Sequence, residues 1–289
     1  MLIALLITGV AVGSIYALLG LSLVLVNKAT DAINFAQGEM AMFMAFVALS
    51  ISTRLHLALP LVFLLALPCG FVLGAVVERF CIRPLKGGSH LRLLIVTIGL
   101  WFIFNTAAGL IWGYDPYRFP SLLSPDPVQL LGAAVAPNNL AIIAVAVLVM
   151  GMLYLFFEHT HEGTAMRAAS MNPKSARLMG IGASRVSLIS WGMAGSLGMI
   201  SAMLIAPVTF LDQQMMASVI LKAFAGAILG GFASLPGAAA GGLLLGVVET
   251  LAGAYVSNAF KDALAFVLII FVLMIRPAGL FGRAAIRKV

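Results

Sequence analysis

Charge is scarce in this 289-residue chain, with 17 Lys and Arg and 10 Asp and Glu making up 9% of it against 62% hydrophobic residues. Soluble domains carry about 25% charged residues, and so few ionisable groups cannot cover a soluble surface of this size. That excludes an ordinary globular enzyme and a disordered chain. The net charge of +7 is too thinly spread to track phosphates, which excludes nucleic acid as a partner. Cysteine is almost missing. Cys69 lies inside an apolar run and Cys81 at the end of one, giving neither metal spacing nor a disulfide framework. Of the four histidines only His159 and His161 are close together, and no third ligand region accompanies them, so no metal site is expected. A phosphate loop of the form G-x-x-x-x-G-K-[ST] is absent. So is a basic region ahead of the first apolar run, which is therefore expected to stay in a bilayer rather than be cleaved as a signal peptide.

What the chain has in quantity is long apolar runs. A spanning helix needs about 20 mostly apolar residues, and candidate spans lie at 3–26, 33–53, 57–77, 92–112, 138–157, 187–206, 219–235, 237–256 and 260–276. The fold expected is all-α: one polytopic transmembrane helical bundle over residues 1–289, of about eight to ten helices, some broken or re-entrant. Basic residues favour the cytoplasmic side. With the N-terminus outside and the C-terminus inside, the inner side holds Lys28, Arg79, Arg83, Lys86, Arg92, Arg167, Lys174, Arg177, Arg185, Arg276, Arg283, Arg287 and Lys288, which is 13 of the 17. Arg54, Arg118 and Lys261 fall outside and Lys222 starts a span. The proline-rich connection 113–137, with Pro125 among its prolines, reads as an extended, turn-rich outer cap. Trp112, Tyr114 and Tyr117 at its start read as an interfacial aromatic belt.

Two stretches interrupt the apolar pattern. Residues 31–39 place Asn34, Gln37 and Glu39 between two apolar runs, with Gly38 able to bend or pack closely. Polar groups in hydrocarbon need partners. The stretch is either an ordinary inner turn with a polar helix start or a broken helix beside a protein-lined pathway. Residues 222–246 hold seven glycines, with four-residue spacing at 226/230, 237/241 and 242/246, a pattern that lets helices approach closely. Here Pro236-Gly237 is expected to interrupt a helix. The Ala-Gln-Gly-Glu and Leu-Pro-Gly-Ala turns suit equivalent places in two related halves.

The inner loop 158–186 is more than a linker. Asn172-Pro173 makes an N-cap and first turn, and Gly180 or Gly182 a stop, so a helix of two turns is expected between them. A second short helix is expected from Gly163 to Met171. Arg167, Ser170, Lys174 and Arg177 would form a basic face, and Met166, Ala169, Ala176 and Met179 an apolar one. A helix this short is unstable alone in water. It must dock, either in a shallow protein groove suited to methionine or on lipid.

At these residues the sequence resembles the permeases of branched-chain amino acid (leucine/isoleucine/valine) ABC importers, and in particular the shorter permease of that pair. The resemblance is carried by Gly163-x-x-x-Arg167-Ala168, Asn172 and Ala176-x-Leu178-x-Gly180-Ile181 in the loop, and by Gly9-x-x-x-Gly13 with Tyr16-Ala17-Leu18 near the start. It continues through Ile33 to Glu39 and through Lys222-Ala223-Phe224, Leu229-Gly230-Gly231, Pro236-Gly237-Ala238 and Gly241-Gly242. The blocks run in family order over nearly the whole chain. The resemblance implies a non-enzymatic subunit of an ATP-driven importer in the bacterial inner membrane. It would pair with a second homologous permease as a heterodimer, bind two cytoplasmic ATPase subunits and receive substrate from a periplasmic binding protein. ATP and magnesium would be held by the ATPase, with no cofactor in this chain. The ATPase-coupling residues implied are Glu162, Gly163, Arg167, Ala168, Asn172, Ala176, Arg177, Leu178 and Gly180. The pathway residues implied are Asn34, Gln37, Gly38, Glu39, Lys222, Pro236 and Gly237. Loop 113–137 and the turn 207–217, with Asp212 and Gln213, would face the binding protein. The generic Glu-Ala-Ala coupling motif is not literally present: Glu162 precedes Gly163, and Ala168-Ala169 comes later.

Two other readings are carried forward. A permease for urea, short amides or other amino acids would share these blocks. An ion-coupled secondary transporter would need intramembrane ionisable groups, for which Glu39, Glu249 and Lys222 are the candidates.

Overall fold

The computed structural model describes residues 1–85, 89–123, 126–130, 132–257, 261–276 and 279–281. Lys86, Pro125, Arg283, Arg287 and Lys288 lie outside them. Helices α1 (Leu2–Thr30), α2 (Gln37–Leu55), α3 (Leu59–Val77), α4 (His90–Trp112) and α5 (Pro137–His159) come first. Short helices α6 (His161–Met171) and α7 (Pro173–Leu178) follow, then α8 (Ala183–Thr209), α9 (Met215–Gly230), α10 (Leu235–Tyr255) and α11 (Lys261–Ile275). All nine expected spans fall on apolar helices. Among the described residues seven helical segments are long and apolar enough to cross a membrane. Helix α9, at 16 residues and about 24 Å, falls short of the ~30 Å hydrocarbon core.

The chain divides into two compact units. One comprises residues 1–24, 120–146 and 217–289, the other 25–119 and 147–216. In the first unit α9 and α10 meet through glycine. A Cβ on Gly226 would lie 2.8 Å from the Gly242 Cα, and one on Gly13 of α1 would lie 2.7 Å from the Leu243 carbonyl of α10. The expected interruption lies earlier than Pro236. The chain breaks at Gly231 (φ +105°), Ser234 caps α10 by accepting from the Gly237 N–H at 3.2 Å, and Pro236 sits in the first turn. Proline at that position starts a helix, because its missing N–H would have no intrahelical partner there. A two-stranded antiparallel hairpin, Val128–Leu130 with Ala133–Val135, lies in the loop expected to be extended and turn-rich.

The second unit is built on α3 against α8. A Cβ on Gly74 would collide with the Trp191 carbonyl, and one on Gly70 would lie 3.1 Å from that of Gly195. Its apolar core gathers Met40, Val77, Leu100, Phe104, Trp191 and Ala194. Helix α3 ends in a π turn, Glu78–Ile82, and a 3₁₀ turn, Arg83–Leu85. There the buried Glu78 carboxylate pairs with Arg83 at 2.9 Å, and Arg83 also donates to the Ser184 carbonyl at the start of α8. Trp112 is also held by the protein. Its ring stacks on Phe46 with centroids 5.2 Å apart, and its Nε1 donates to Ser50 Oγ at 2.7 Å.

Backbone-to-backbone packing makes these glycines intolerant of side chains. Gly74→Val is expected to cost at least about 2 kcal/mol through overpacking and to lower Tm in detergent. Gly99→Ala, with nothing within 4 Å of a new Cβ, is expected to leave Tm unchanged or raised. Equal losses from both would contradict this packing.

Candidate functional site

The polar stretch 31–39 sits deeper than an ordinary inner turn. Helix α1 ends at Thr30, and Asp31 closes it in a left-handed conformation (φ 51°), its N–H donating to the Asn27 carbonyl at 2.7 Å. Gln37 Nε2 then donates to the Ala194 carbonyl at 2.8 Å, about halfway along α8. Glu39 meets Trp101 and Asn105, about halfway along α4. Residues 31–36 therefore rise from the level of the starts of α4 and α8 to the middles of those two helices. Six residues of extended chain can span about 20 Å, enough for this rise.

Non-helical backbone at that depth must be enclosed by protein or line a cavity, and the side chains supply the closure. Asn34 Oδ1 accepts from the Ala36 N–H at 3.1 Å, and Asn34 Nδ2 donates to Gln37 Oε1 at 2.9 Å. Asn34 and Gln37 are fully buried, Gly38 is buried, and Glu39 is 2% exposed. The Glu39 carboxylate accepts from Trp101 Nε1 at 2.6 Å and Asn105 Nδ2 at 3.1 Å, with no cation in ion-pair range among the described residues. Asn105 also donates to the Gln213 carbonyl at 3.0 Å, and Gln213 Nε2 donates to the Gly113 carbonyl at 2.5 Å. Sequence reading missed Trp101 and Asn105. Their only signal was an amide and an indole on an otherwise apolar helix.

The first unit holds its own polar pair. Lys222 Nζ of α9 reaches Glu249 Oε1 of α10 at 2.7 Å, both largely buried, with the Tyr16 ring centroid 6.0 Å from the ammonium. Glu249 thus faces a helix neighbour. Pro236 and Gly237 lie in the first turn of the same α10, and Gly237 packs on Gly230.

Segment 158–186 is built as two short capped helices. Thr160 caps α6, its Oγ1 accepting from the Gly163 N–H at 3.0 Å. A Cβ on Gly163 would collide with the end of α5 at Phe156 and Phe157, so glycine allows α6 to press against it. Asn172 Oδ1 accepts from the N–H groups of Lys174 and Ser175 at 3.2 and 3.1 Å, with Pro173 as first residue of α7. Gly180 (φ 81°) ends α7 in a Schellman motif: Ile181 N–H to Ala176 carbonyl at 3.0 Å, Gly180 N–H to Arg177 carbonyl at 3.1 Å. Arg167 pairs with Glu158 at 2.5 Å and Arg185 with Glu162. Ala168 is half-buried, and Lys174 and Arg177 are exposed. Met166 and Ala176 turn inward, whereas Met179 joins Met171 and Leu178 outside, at 84%, 84% and 88% exposure. The expected apolar face is therefore two faces, one packed and one presented.

Residues 5–273 match the family model for the branched-chain amino acid transport system permease component. The chain belongs to this family. It is 33% identical to the high-affinity branched-chain amino acid transport system permease protein BraD of Pseudomonas aeruginosa, over 98% of this chain and 97% of that protein. It is 32% identical to the corresponding protein LivH of Escherichia coli, over 97% and 96%. Among solved structures, PsaBC from Streptococcus pneumoniae in complex with Fab aligns with a TM-score of 0.51 at 15% identity, covering 93% of this chain and 90% of that one, a likeness of fold alone. With its apolar helices, this permease is a multi-pass membrane protein.

Two outcomes test the geometry. Asn172→Ala removes the α7 cap, worth about 1 kcal/mol, and is expected to speed hydrogen exchange across 173–178 while Tm stays within a degree or two. Asn105→Leu strips one donor from Glu39 and is expected to lower Tm. Glu39→Gln, which keeps acceptor capacity, is expected to lower it less, and the reverse order would contradict the donor role of Asn105.

Proposed function

We propose that this permease is the transmembrane subunit of an ATP-driven ABC importer that carries branched-chain amino acids across a bacterial cytoplasmic membrane. The observation that carries this reading is the full-length similarity: residues 5–273 match a permease family for these substrates. The chain has no phosphate loop, so hydrolysis of ATP with its magnesium falls to a separate ATPase. In this reading two ATPase subunits grip α6 and α7 from the cytoplasm, a second homologous permease completes the pathway, and a periplasmic binding protein delivers substrate.

The orientation follows from charge. Lys28, Arg83 and Arg92 lie at the same ends of α1, α3 and α4 as the start of α8, and that end adjoins α6 and α7 with Arg167, Lys174 and Arg177. Basic loops stay in the cytoplasm, so the N-terminus faces outward and the C-terminus inward. Met171, Leu178 and Met179 then present an apolar contact to the ATPase, with Arg177 beside them and Asn172 and Gly180 fixing the ends of the helix that carries it. Glu162, Gly163, Arg167 and Ala168 hold α6 in place beneath. In this reading the pathway residues are Asn34, Gln37, Gly38 and Glu39 in the second unit, and Lys222, Pro236 and Gly237 in the first. In the conformation described, their polar groups are engaged within the protein. Transport requires those bonds to exchange partners, so the residues act as movable closures rather than a standing binding site.

Reconstitution in proteoliposomes tests the reading. Leucine uptake is expected with ATPase, second permease, binding protein and ATP together, and none from this chain alone. Gradient-driven uptake by the lone chain would instead make it a secondary transporter. Arg177→Glu, at a side chain with no internal ion pair among the described residues, is expected to weaken ATPase co-purification at least about tenfold, the equivalent of ~1.4 kcal/mol, with membrane insertion unchanged. Unaltered co-purification and uptake would contradict the docking role.

A further inference from the structure

A cavity of about 300 Å³ opens in the second unit where the end of α1, the 3₁₀ end of α3, the start of α4, the α6–α7 segment and the start of α8 converge. No step proposed above uses it. Its wall carries three kinds of group. Lys28, His90 and Arg177 supply cationic or hydrogen-bond-donating side chains, Asp31 supplies a carboxylate, and aliphatic side chains including Ile82, Leu93 and Ile181 supply the rest. Among the described residues none of Lys28, Arg177 and Asp31 makes a side-chain hydrogen bond or an ion pair. Other charges beside this segment are paired within the protein, Glu78 with Arg83 and Glu158 with Arg167. Lys28 and Asp31 thus bring opposite charges, neither held by a side-chain partner among the described residues, to one cavity wall, and that pairing suits a ligand bearing both signs.

Size narrows the choice. A cavity of 300 Å³ has room for roughly ten water-sized volumes, at the small end of ligand pockets. A free aliphatic amino acid has about that many heavy atoms, with a carboxylate for Lys28, an ammonium for Asp31 and a branched hydrocarbon for the aliphatic wall. We propose that this cavity is a binding site for a free zwitterionic aliphatic amino acid, at the end of the second unit that carries the coupling helices. The proposal rests on the importer reading for its place on the cytoplasmic side and for the ligand being the transported class. Because α7 forms one wall through Pro173, Ala176 and Arg177, an occupant bridges the coupling helix to α1 and α4. It would restrain the motion that transmits ATP hydrolysis, so accumulated substrate slows its own uptake.

The experiment uses the assembled importer without its binding protein, titrated with radiolabelled leucine by equilibrium dialysis. In parallel, uptake into proteoliposomes is measured with and without leucine on the ATPase side. The variants are Lys28→Gln and Asp31→Asn, the latter keeping a residue that tolerates the left-handed backbone. Saturable leucine binding is expected in the wild type, weakened roughly tenfold or more in each variant, as for loss of a charge-assisted bond. Leucinamide, which lacks the carboxylate, is expected to bind weakly and to be indifferent to Lys28→Gln. 4-Methylpentanoate, which lacks the ammonium, is expected to be indifferent to Asp31→Asn. Internal leucine is expected to slow wild-type uptake and not that of the variants, whose uptake into leucine-free vesicles matches the wild type. No saturable binding, or binding that both variants leave intact, overturns the proposal. So does phospholipid that co-purifies with the wild type and is lost from Lys28→Gln while leucine fails to bind, which would make the cavity a headgroup site. Absence of ATP-driven uptake into leucine-free vesicles refutes the importer reading instead, and the dialysis arm reads the site independently of it.

Discussion

A peptide group in hydrocarbon has no water to bond, and the second unit is organised around that constraint. Between Thr30 and Gln37 the chain leaves helical geometry on its way to the middle of α4 and α8. It can do so because Asn34, Gln37 and the Ala194 carbonyl close the bonds that a helix would have made. The next residue able to carry charge, Glu39, is held in the same way by Trp101 and Asn105. A break of this kind is a place where two arrangements of bonds can be close in free energy. Intramembrane side-chain hydrogen bonds are worth only about 0.6 kcal/mol on average, so exchanging one for another is within reach of an ATP-driven cycle.

Rigid surroundings make such a break useful. In each unit helices touch backbone to backbone through glycine, α3 on α8 in one and α10 on α1 and α9 in the other. At these glycines backbone meets backbone with no side chain between, which favours movement of the helices as blocks. The Glu78–Arg83–Ser184 contacts tie the π turn of α3 to the start of α8, immediately after α6 and α7. A displacement of α6 and α7 therefore reaches α3 and α8 together, and through Ala194 reaches Gln37.

Much of this was legible in the sequence. The spans, the glycine contacts and the caps of α7 follow from local signals: apolar length, four-residue spacing, and Asn-Pro and Gly at the two ends of a helix. What was not legible was non-local. Nothing near Glu39 names its partners, which lie 62 and 66 residues away. Nor does hydropathy say how deep the 31–36 break sits, because a turn at the surface and one at mid-depth have the same composition. Pro236 was misread as an interruption because proline is tolerated at a helix start and disruptive inside one, and only the cap at Ser234 distinguishes the two. The ring contacts of Trp112 with Phe43 and Phe46 likewise join residues far apart in the sequence. Glu158 and Glu162 similarly gained meaning only when Arg167 and Arg185 came within reach.

The central claim is that α6 and α7 form a cytoplasmic handle through which a separate motor moves these blocks. With Cys69 and Cys81 replaced by serine, single cysteines at Met171, Leu178 and Met179 can be labelled with a membrane-impermeant maleimide. The account predicts labelling in inside-out vesicles stripped of ATPase, none in right-side-out vesicles, and protection when the ATPase is restored. Labelling from the outer side, or labelling that the bound ATPase leaves unchanged at all three positions, would contradict it.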